Sequence, residues 1–214
     1  MPQRSPTFRV RVRGPWACFT RPELRAERVS YEVMTPSAAR GILEAILWKP
    51  AIRWHIERIH VLAPIRFDAV KRNEVSEKLK RGGAIHAFYA DEKREQRNTL
   101  LVRDVDYVIE AHFRMTAQAG PDDNLRKFED MFRRRVEKGQ SFHQPYLGCR
   151  EFAADFEPAP ESWSVPEELR GERDLGMMLL DLEFADRHGV QPATPRFFPA
   201  RLVDGRLDVP EVAQ

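Results

Sequence analysis

The 214-residue sequence predicts an α+β fold in which an antiparallel sheet carries two helices on one face. Two observations support this prediction. Several segments alternate apolar and polar residues, as half-buried strands do, and two segments place apolar residues at helical spacing. In chain order, the elements up to residue 157 are strand, helix, strand, strand, helix and strand, once a polar turn is treated as a hairpin insertion. This order is that of a modified ferredoxin-like core, which RNA-recognition modules (RRM) commonly use.

The first half of this core is a strand, a helix and a second strand. Residues 7–13 (TFRVRVR) alternate Phe and Val with Arg, which predicts a strand with one apolar and one basic face. Thr35 is a suitable N-cap for the first helix, and Pro36 suits its first position. Its apolar stripe comprises Ala39, Ile42, Leu43, Ile46 and Leu47. We expect Pro50 to end the helix. The next strand changes phase near Glu57, which predicts a β-bulge.

The second half of the core begins with the charged stretch 68–83, which indicates a solvated loop or a short helix. Residues 84–90 and 99–113 alternate as two strands joined by the polar turn DEKREQRN. A second helix then follows, capped by Asp122 or Asp123.

This second helix is predicted to run to about Lys138, with Gly139 as its C-terminal stop. Its apolar face comprises Leu125, Phe128, Phe132 and Val136. The alternation in residues 149–156 (CREFAADF) predicts the last strand of the core.

Prolines after residue 157 mark a break between a core domain, 1–157, and a small antiparallel β-rich extension, 158–214. The apolar run 176–184 predicts a strand there, with Met178, Leu180, Leu182 and Phe184 in phase. Asp204-Gly205 is the expected two-residue turn of a hairpin between alternating flanks.

The net charge of +2 hides a division along the chain. Residues 1–150 hold 29 Lys and Arg against 19 Asp and Glu, whereas residues 151–214 hold 6 against 14. Of the 35 basic residues 28 are Arg, which binds phosphate bidentately and stacks on bases. The charge division favours a polyanionic partner for the core, although a GC-rich genome also accounts for the Arg bias.

Several classes of protein are not expected. No apolar stretch approaches the roughly 18 residues of a membrane span, and the N-terminus lacks the apolar core of a signal peptide. A cytoplasmic location without membrane contact is therefore predicted. Cys18 and Cys149 are far apart in sequence and have no nearby Cys partner, so we expect free thiols.

The sequence contains no Gly-rich phosphate loop and no G-x-S-x-G motif. His55 and His60 are expected on a strand face, and no histidine has the spacing of a zinc site. Neither a metal nor a cofactor is therefore expected. RNA cleavage without metal is compatible with this, because the RNA's own 2′-OH can attack phosphorus if the protein supplies a base, a cation and an acid.

Two basic surfaces are candidates for binding RNA. The second helix carries Arg126, Lys127, Arg133, Arg134, Arg135 and Lys138, and the first strand carries Arg9, Arg11 and Arg13. The alternative for the helix is a solvated face whose cations pair with Glu129, Asp130 and Glu137.

Two blocks of sequence resemble a known family. YEVMTPSAARGILEAILWKPAIRW (31–54) and FHQPYLGCREF (142–152) are similar to the subtype I-C (Dvulg) branch of the Cas5 family of CRISPR-associated proteins, within the RAMP superfamily. The resemblance covers most of residues 16–66 and 124–152. It implies a pre-crRNA endoribonuclease that cuts CRISPR repeat RNA at the 3′ base of its hairpin without metal. The product would then stay bound as the protein joins other subunits of the type I-C interference complex.

The catalytic pattern of that family is only partly present. The family often has a Tyr immediately before Trp-Lys-Pro, where this chain has Leu47, and a Lys-His pair that aligns with Lys127-Phe128. Lys127 is thus the expected catalytic cation. Tyr31 and His143 are the candidates for the missing base and acid. The alternatives are that Tyr31 is a packed strand-end aromatic and that His143 anchors a loop.

RNA binding is expected through Arg9, Arg11, Arg13, Lys49, Lys127, Arg133, Arg134 and Arg135. The same surface is expected to tolerate double-stranded DNA non-specifically, because phosphate contacts read no sequence. Three functions stay open: a repeat-processing ribonuclease, a non-cleaving structural subunit that binds crRNA in the same complex, and an RNA-binding module outside CRISPR immunity.

Overall fold

In the computed structural model, which describes residues 4–24, 26–76, 89, 91–183 and 194–211, the described chain forms eight strands and two α-helices. Their bounds are β1 Phe8–Ala17, α1 Pro36–Ile46, β2 Ile52–Val61, β3 Arg66–Val75, β4 Arg94–Met115, α2 Leu125–Glu137, β5 Asp155–Pro158, β6 Glu172–Glu183, β7 Thr194–Val203 and β8 Arg206–Asp208. The predicted α+β class is confirmed.

One antiparallel sheet contains all of these strands in the order β5-β1-β4-β2-β8-β7-β6, with β3 paired to the N-terminal half of β4. The predicted first strand and the strand after α1 both flank β4. In this register Val10 of β1 and Ile59 of β2 lie opposite Ile109 of β4, and all three are buried. The β2 register shifts between Ile56 and Arg58, so the bulge predicted near Glu57 is confirmed.

The first helix begins as predicted. The Thr35 side chain accepts a hydrogen bond from the Ala38 N–H at 3.2 Å, and Pro36 occupies the first turn. The prediction that Pro50 ends the helix is wrong, because α1 stops at Ile46 and Leu47 already has extended backbone (φ −146°, ψ 105°). The side chain of Leu47 is buried in the core, and its N–H still donates to the Leu43 oxygen.

The cap of α2 differs from the prediction. Asn124, and neither Asp122 nor Asp123, is the N-cap, and its side chain accepts a bond from the Lys127 N–H at 3.0 Å. The Asp123 carboxylate accepts instead from the Gly120 N–H at 3.1 Å. Asp122, Asp123 and Asn124 all have side chains that can cap a helix. In the structure Asp123 bonds the preceding loop, and Asn124 caps the helix.

The stretch 68–83 was wrongly predicted as a loop or helix where it is described. Residues up to Val75 form β3, which pairs with β4 from Arg66 opposite Arg103 to Val75 opposite Arg94. The supposed turn is also partly wrong, because β4 starts at Arg94. Most side chains of β3 are exposed, so no buried face produces a hydrophobic alternation. The predicted strand 84–90 lies outside the described residues, apart from Tyr89.

The C-terminal strands continue the same sheet. The hairpin turn at Asp204-Gly205 is confirmed, and both residues have positive φ (48° and 70°), as a type I′ turn requires. The strand β8 pairs with β2, for example Ile59 with Leu207. The phase predicted for β6 is confirmed in part, since Met178 is buried and Leu180 and Leu182 pack against the core. The register shifts twice, and Leu175 and Leu179 are buried as well. Residue 184 lies outside the described part. The division between 157 and 158 stays a prediction.

The loop before β5 packs tightly against the end of β1. Cys18 and Cys149 are both free thiols, and the Cys149 Sγ lies 3.6 Å from the Cys18 carbonyl oxygen. Gly148 makes this approach possible: its φ is +84°, and a Cβ built on it would lie 2.0 Å from the same oxygen. The segment that leads from α2 to β5 can therefore pack against Cys18 only because residue 148 has no side chain.

We predict that Gly148→Ala lowers the free energy of unfolding by about 3 kcal/mol or more, because it adds a backbone clash to left-handed strain. Gly139→Ala is the matched control: its φ is +61°, but a Cβ there meets nothing within 4 Å. The control should lose only about 1–2 kcal/mol. Urea denaturation of both variants measures the difference. Equal losses would contradict the packing described.

Candidate functional site

The C-terminus of α1 is held by three other parts of the chain. The last carbonyl groups of a helix have no partner within the helix, so they need donors from elsewhere. Three donors meet this end: Trp54 Nε1–H to the Leu47 oxygen at 2.9 Å, Arg135 Nη1–H to the Ile46 oxygen, and the Phe142 N–H to the Ala45 oxygen at 2.8 Å. We call these three contacts the carbonyl clamp. It fixes the start of the Trp48-Lys49-Pro50 segment against β2, α2 and the loop after α2.

A pocket of about 280 Å³ lies next to the carbonyl clamp and contains two of the predicted cations. Lys49 follows α1 and Lys127 lies in the first turn of α2, and both line this pocket. Its lining residues are Lys49, Pro50, Ala51, Gln118, Asp123, Lys127, Phe128 and Met131. The two lysines are far apart in sequence, so their meeting is a result of the fold.

Backbone hydrogen bonds fix the walls of this two-lysine pocket. The Thr116 N–H donates to the Ala51 oxygen at 2.9 Å, and the Thr116 hydroxyl donates to the Pro50 oxygen at 2.6 Å. The Ile52 N–H closes the turn onto the Lys49 oxygen at 3.1 Å. The segment after α1 is therefore bonded to the end of β4, which leads into the loop before α2.

Asp123 places the Lys127 ammonium within the pocket. The Lys127 Nζ lies 3.0 Å from the Asp123 Oδ1. This hydrogen bond, together with the bond from the Gly120 N–H, lowers the pKa of the Asp123 carboxyl below its ordinary value. Asp123 is therefore ionised at neutral pH. The pair is solvent-exposed, so an incoming phosphate can compete with the carboxylate for Lys127.

Leu47 and Phe128, which stand where the resembling family often has Tyr and His, are buried packing residues here. Leu47 is fully buried, and Phe128 packs edge-on against Phe113 with ring centroids 6.5 Å apart. Neither side chain can accept or donate a proton. Any proton transfer at this pocket must therefore use other groups.

His143 lies at the carbonyl clamp. Its backbone N–H is 3.4 Å from the Ala45 oxygen, which also accepts from the Phe142 N–H. The His143 side chain is exposed, and its Nδ1 is 3.4 Å from the Gln144 oxygen. The backbone thus anchors the loop and leaves the imidazole facing solvent.

Tyr31 is placed differently, in the core beside β6. Its side chain is only 1% exposed, and its hydroxyl oxygen accepts a bond from the Leu179 N–H at 3.2 Å. The Arg21 guanidinium lies over the ring at 4.3 Å. Burial raises the pKa of the hydroxyl. Tyr31 does not line the two-lysine pocket, and its position favours the packing alternative.

The predicted basic surfaces differ in how their charges are used. On β1, Arg9 pairs with Glu110, Arg11 with Asp106 and Arg13 with Glu157, at 2.9, 2.6 and 3.4 Å. Within the part of the chain that the structure describes, Arg133 and Arg134 of α2 form no ion pair, and both are exposed. On α2, Arg133 and Arg134 are therefore available to an outside partner, whereas the arginines of β1 are shared with carboxylates.

Sequence reasoning missed several polar groups. Glu57 lies in the bulge, and its Oε1 is within hydrogen-bonding distance of the His112 Nδ1, at 2.6 Å. The His112 ring in turn stacks on the His55 ring, with centroids 5.2 Å apart. These residues line a cleft of about 1010 Å³ beside β2. Burial is the main cause that lowers the pKa of both histidines, that of His55 to about 4. The bulge signal at Glu57 was available in the sequence, whereas its partners depend on strand register.

The described residues hold no group of three or more His, Cys, Asp or Glu side chains placed to bind a metal ion. In the same ranges, neither helix is long and apolar enough to span a membrane.

The chain is thus an α+β protein in which two helices accompany one antiparallel sheet, with a cation-lined pocket after the first helix. A solved structure titled as that of a CRISPR-associated protein has this fold, with a TM-score of 0.74 and 24% identity over 99% of this chain and 95% of the other. A chain of a CRISPR RNA-guided surveillance complex matches with a TM-score of 0.51 and 14% identity, over 96% and 91% of the two chains.

The sequence comparison is more specific. The family model Cas_Cas5d, described as CRISPR-associated protein (Cas_Cas5), matches residues 7–210, and the chain belongs to this family. A protein of Mannheimia succiniciproducens named CRISPR pre-crRNA endoribonuclease Cas5d is 49% identical over 95% of this chain and 94% of its own. A protein of Thermus thermophilus with the same name is 44% identical over 95% and 91%.

The ion pairing of the arginines predicts which of them an RNA ligand uses. The double variant Arg133→Gln/Arg134→Gln should reduce the slope of log Kd against log salt by about 1.5, because each free cation displaces counterions from about one phosphate. Filter binding of repeat RNA at several salt concentrations measures this slope.

The control for that experiment is Arg11→Gln/Arg13→Gln, which removes the same net charge from cations already paired to carboxylates. Its slope should change by less than about 0.5. Equal changes of slope in the two double variants would show that the ion pairs on β1 do not keep its arginines from contacting RNA phosphates.

Proposed function

We propose that this protein is a pre-crRNA endoribonuclease that cleaves CRISPR repeat RNA and then retains the product as a subunit of an interference complex. The observation that supports this most directly is the pair Lys49 and Lys127, held in one pocket at the carbonyl clamp. The two relatives named pre-crRNA endoribonuclease support the same reaction and substrate. The proposed subtype of the complex is I-C, from the resemblance in the sequence.

In the proposed reaction, the 2′-oxygen of the RNA attacks the adjacent phosphorus. A bond forms between the 2′-oxygen and phosphorus, and the bond from phosphorus to the 5′-oxygen breaks. The products are a 2′,3′-cyclic phosphate and a free 5′-hydroxyl. No metal is required, because the nucleophile belongs to the substrate and the protein needs only to stabilise charge and move two protons.

The main contribution of the protein in this scheme is electrostatic. Lys127 and Lys49 stabilise the negative charge that increases on the phosphorane oxygens. Before RNA binds, Asp123 holds the Lys127 ammonium at 3.0 Å. When RNA binds, a phosphate replaces that carboxylate, so the cation is already in position.

Proton transfer is assigned to His143, whose backbone N–H lies at the carbonyl clamp and whose imidazole is exposed. In this scheme its imidazole takes the proton of the 2′-OH and returns it to the departing 5′-oxygen. His143 does not line the two-lysine pocket, so the RNA has to bring the scissile phosphate within its reach. Tyr31 is assigned to packing, since its hydroxyl bonds the β6 backbone. RNA is bound by Lys49 and the free cations of α2, and the paired arginines of β1 take a smaller share. The same cations would bind double-stranded DNA non-specifically. The proposed location is the cytoplasm.

A non-cleaving structural subunit is the second candidate function. One observation favours it: Leu47 and Phe128 are buried and apolar at the two positions where the family often has Tyr and His. A protein of this kind would use the same basic surface to hold crRNA and would leave cleavage to another enzyme.

Incubation of the purified protein with its own repeat RNA in EDTA decides between the two functions. The proposal predicts one cut under single turnover, and Lys127→Ala should lower the rate at saturating RNA by about 10²-fold or more. His143→Ala should lower it as well, with a changed pH profile. Lys138→Ala is the control, because it removes a cation from the other end of α2.

Uncut RNA that is nevertheless bound would support the structural subunit. Full activity of Lys127→Ala would exclude the assigned role of the two-lysine pocket. Cleavage that requires added Mg²⁺ would exclude the metal-free mechanism and leave the substrate assignment intact.

A further inference from the structure

Two large aromatic side chains project into solvent beside the carbonyl clamp. Trp48 is 59% exposed and Phe142 is 80% exposed, although rings of this size normally bury most of their surface. Trp48 follows the fully buried Leu47, and Phe142 bonds through its N–H to the Ala45 oxygen at 2.8 Å. Both rings therefore start from backbone that is fixed at the same helix end.

These aromatics are not needed for packing in the described part of the chain. The core nearby is already filled by edge-on and tilted rings, among them Phe8, Trp54 and Phe132. Trp48 makes no ring contact with any described residue, and Phe142 contacts only the neighbouring His143 ring, with centroids 6.0 Å apart. An exposed patch of this kind beside a pocket is typical of a binding surface.

The surroundings of these two rings are cationic. Lys49 is adjacent to Trp48 in the chain and lines the two-lysine pocket, and Arg135 donates to the same helix end as Phe142. A purely apolar partner would have to desolvate these charges. Single-stranded RNA offers phosphates for the cations and flat base faces for the rings, which is the usual combination in proteins that bind single strands.

We propose that Trp48 and Phe142 form a base-stacking platform for the unpaired nucleotides that flank the scissile phosphate. This inference rests on the proposed function and adds a positioning role to it. The bases stack on the two rings while the phosphate between them lies at Lys49 and Lys127. Bases inside a duplex have both faces covered, so the platform accepts only nucleotides outside the hairpin stem or frayed from its base.

The platform makes a prediction that depends on both protein and RNA. A series of repeat RNAs, each with one abasic position in the single-stranded segments, is titrated against wild type, Trp48→Ala and Phe142→Ala. For wild type, one or two abasic positions should raise Kd by about 5- to 150-fold each. In the alanine variant that lacks the stacking ring, the same abasic position should have no further effect.

Two controls separate stacking from a general loss of structure. Trp48→Tyr keeps an aromatic face and should keep most of the affinity. Phe197→Ala removes an exposed ring from β7, where it is 40% exposed, and should leave every Kd unchanged. Thermal unfolding of each variant checks that the fold is intact.

Several outcomes would overturn the platform. One is unchanged affinity for repeat RNA in both alanine variants, and another is a loss of affinity that is the same for intact and abasic RNA. A third is that the variants bind RNA normally but fail to join other complex subunits. In these cases cleavage that still depends on Lys127 would leave the proposed function standing. If wild type binds repeat RNA no better than random duplex DNA, the proposed function fails together with the platform.

Discussion

The carbonyl clamp at the C-terminus of α1 is the interaction on which the rest of the site depends. Each contact in it comes from a different element: Trp54 from β2, Arg135 from α2, and Phe142 from the loop after α2. A hydrogen bond of this kind adds about 1 kcal/mol net, but a buried carbonyl left without a donor costs about 1–3 kcal/mol. Loss of one donor therefore costs more free energy of folding than its hydrogen bond contributes.

The clamp also links packing to function. The Trp54 ring, which supplies one donor, packs against Phe132 of α2 with centroids 4.6 Å apart. The same helix end directs Leu47 into the core and leaves Trp48 and Lys49 outside it. The proposed RNA-binding groups are thus positioned by the same hydrogen bonds and apolar packing that stabilise the fold.

Charge pairing explains how a nearly neutral chain keeps a basic surface. The acidic C-terminal segment neutralises cations of the core at its contacts with the rest of the sheet. Three such pairs are Arg40 with Asp181, Arg58 with Asp208, and Arg114 with Glu211. The division of charge along the sequence is therefore partly internal, and Arg133 and Arg134 of α2 are among the cations that remain for a partner.

Sequence patterns predicted the elements whose signal is local. The Thr35 cap, the bulge near Glu57 and the Asp204-Gly205 turn each depend on a few neighbouring residues, and each is confirmed. The strand β3 was missed because a strand that is solvated along its length has no apolar face, so no alternation marks it. The burial of Leu175 and Leu179 in β6 was missed, because the two register shifts of this strand depend on pairing with β7.

The site was predictable only in part for the same reason. Lys49 and Lys127 were each chosen from sequence, but their common pocket requires the Thr116 bonds that join two distant segments. The carbonyl clamp itself could not be predicted, because two of its three donors, Arg135 and the Phe142 N–H, come from segments remote in sequence. Burial of Tyr31 against Leu179 likewise depends on how β6 packs over α1.

Hydrogen exchange in Trp54→Phe tests the clamp most directly. This change removes the donor to the Leu47 oxygen and keeps an aromatic ring in the cluster with Phe8 and Phe113. Phe113→Leu, which opens space in the same cluster without removing a donor, is the control. If the clamp holds this helix end, the Leu47 and Phe142 amides exchange faster in Trp54→Phe, whereas exchange at Val10 stays unchanged. The control variant shows no such local effect. Unchanged exchange at Leu47 and Phe142, or equal acceleration in both variants, would contradict this role of the clamp.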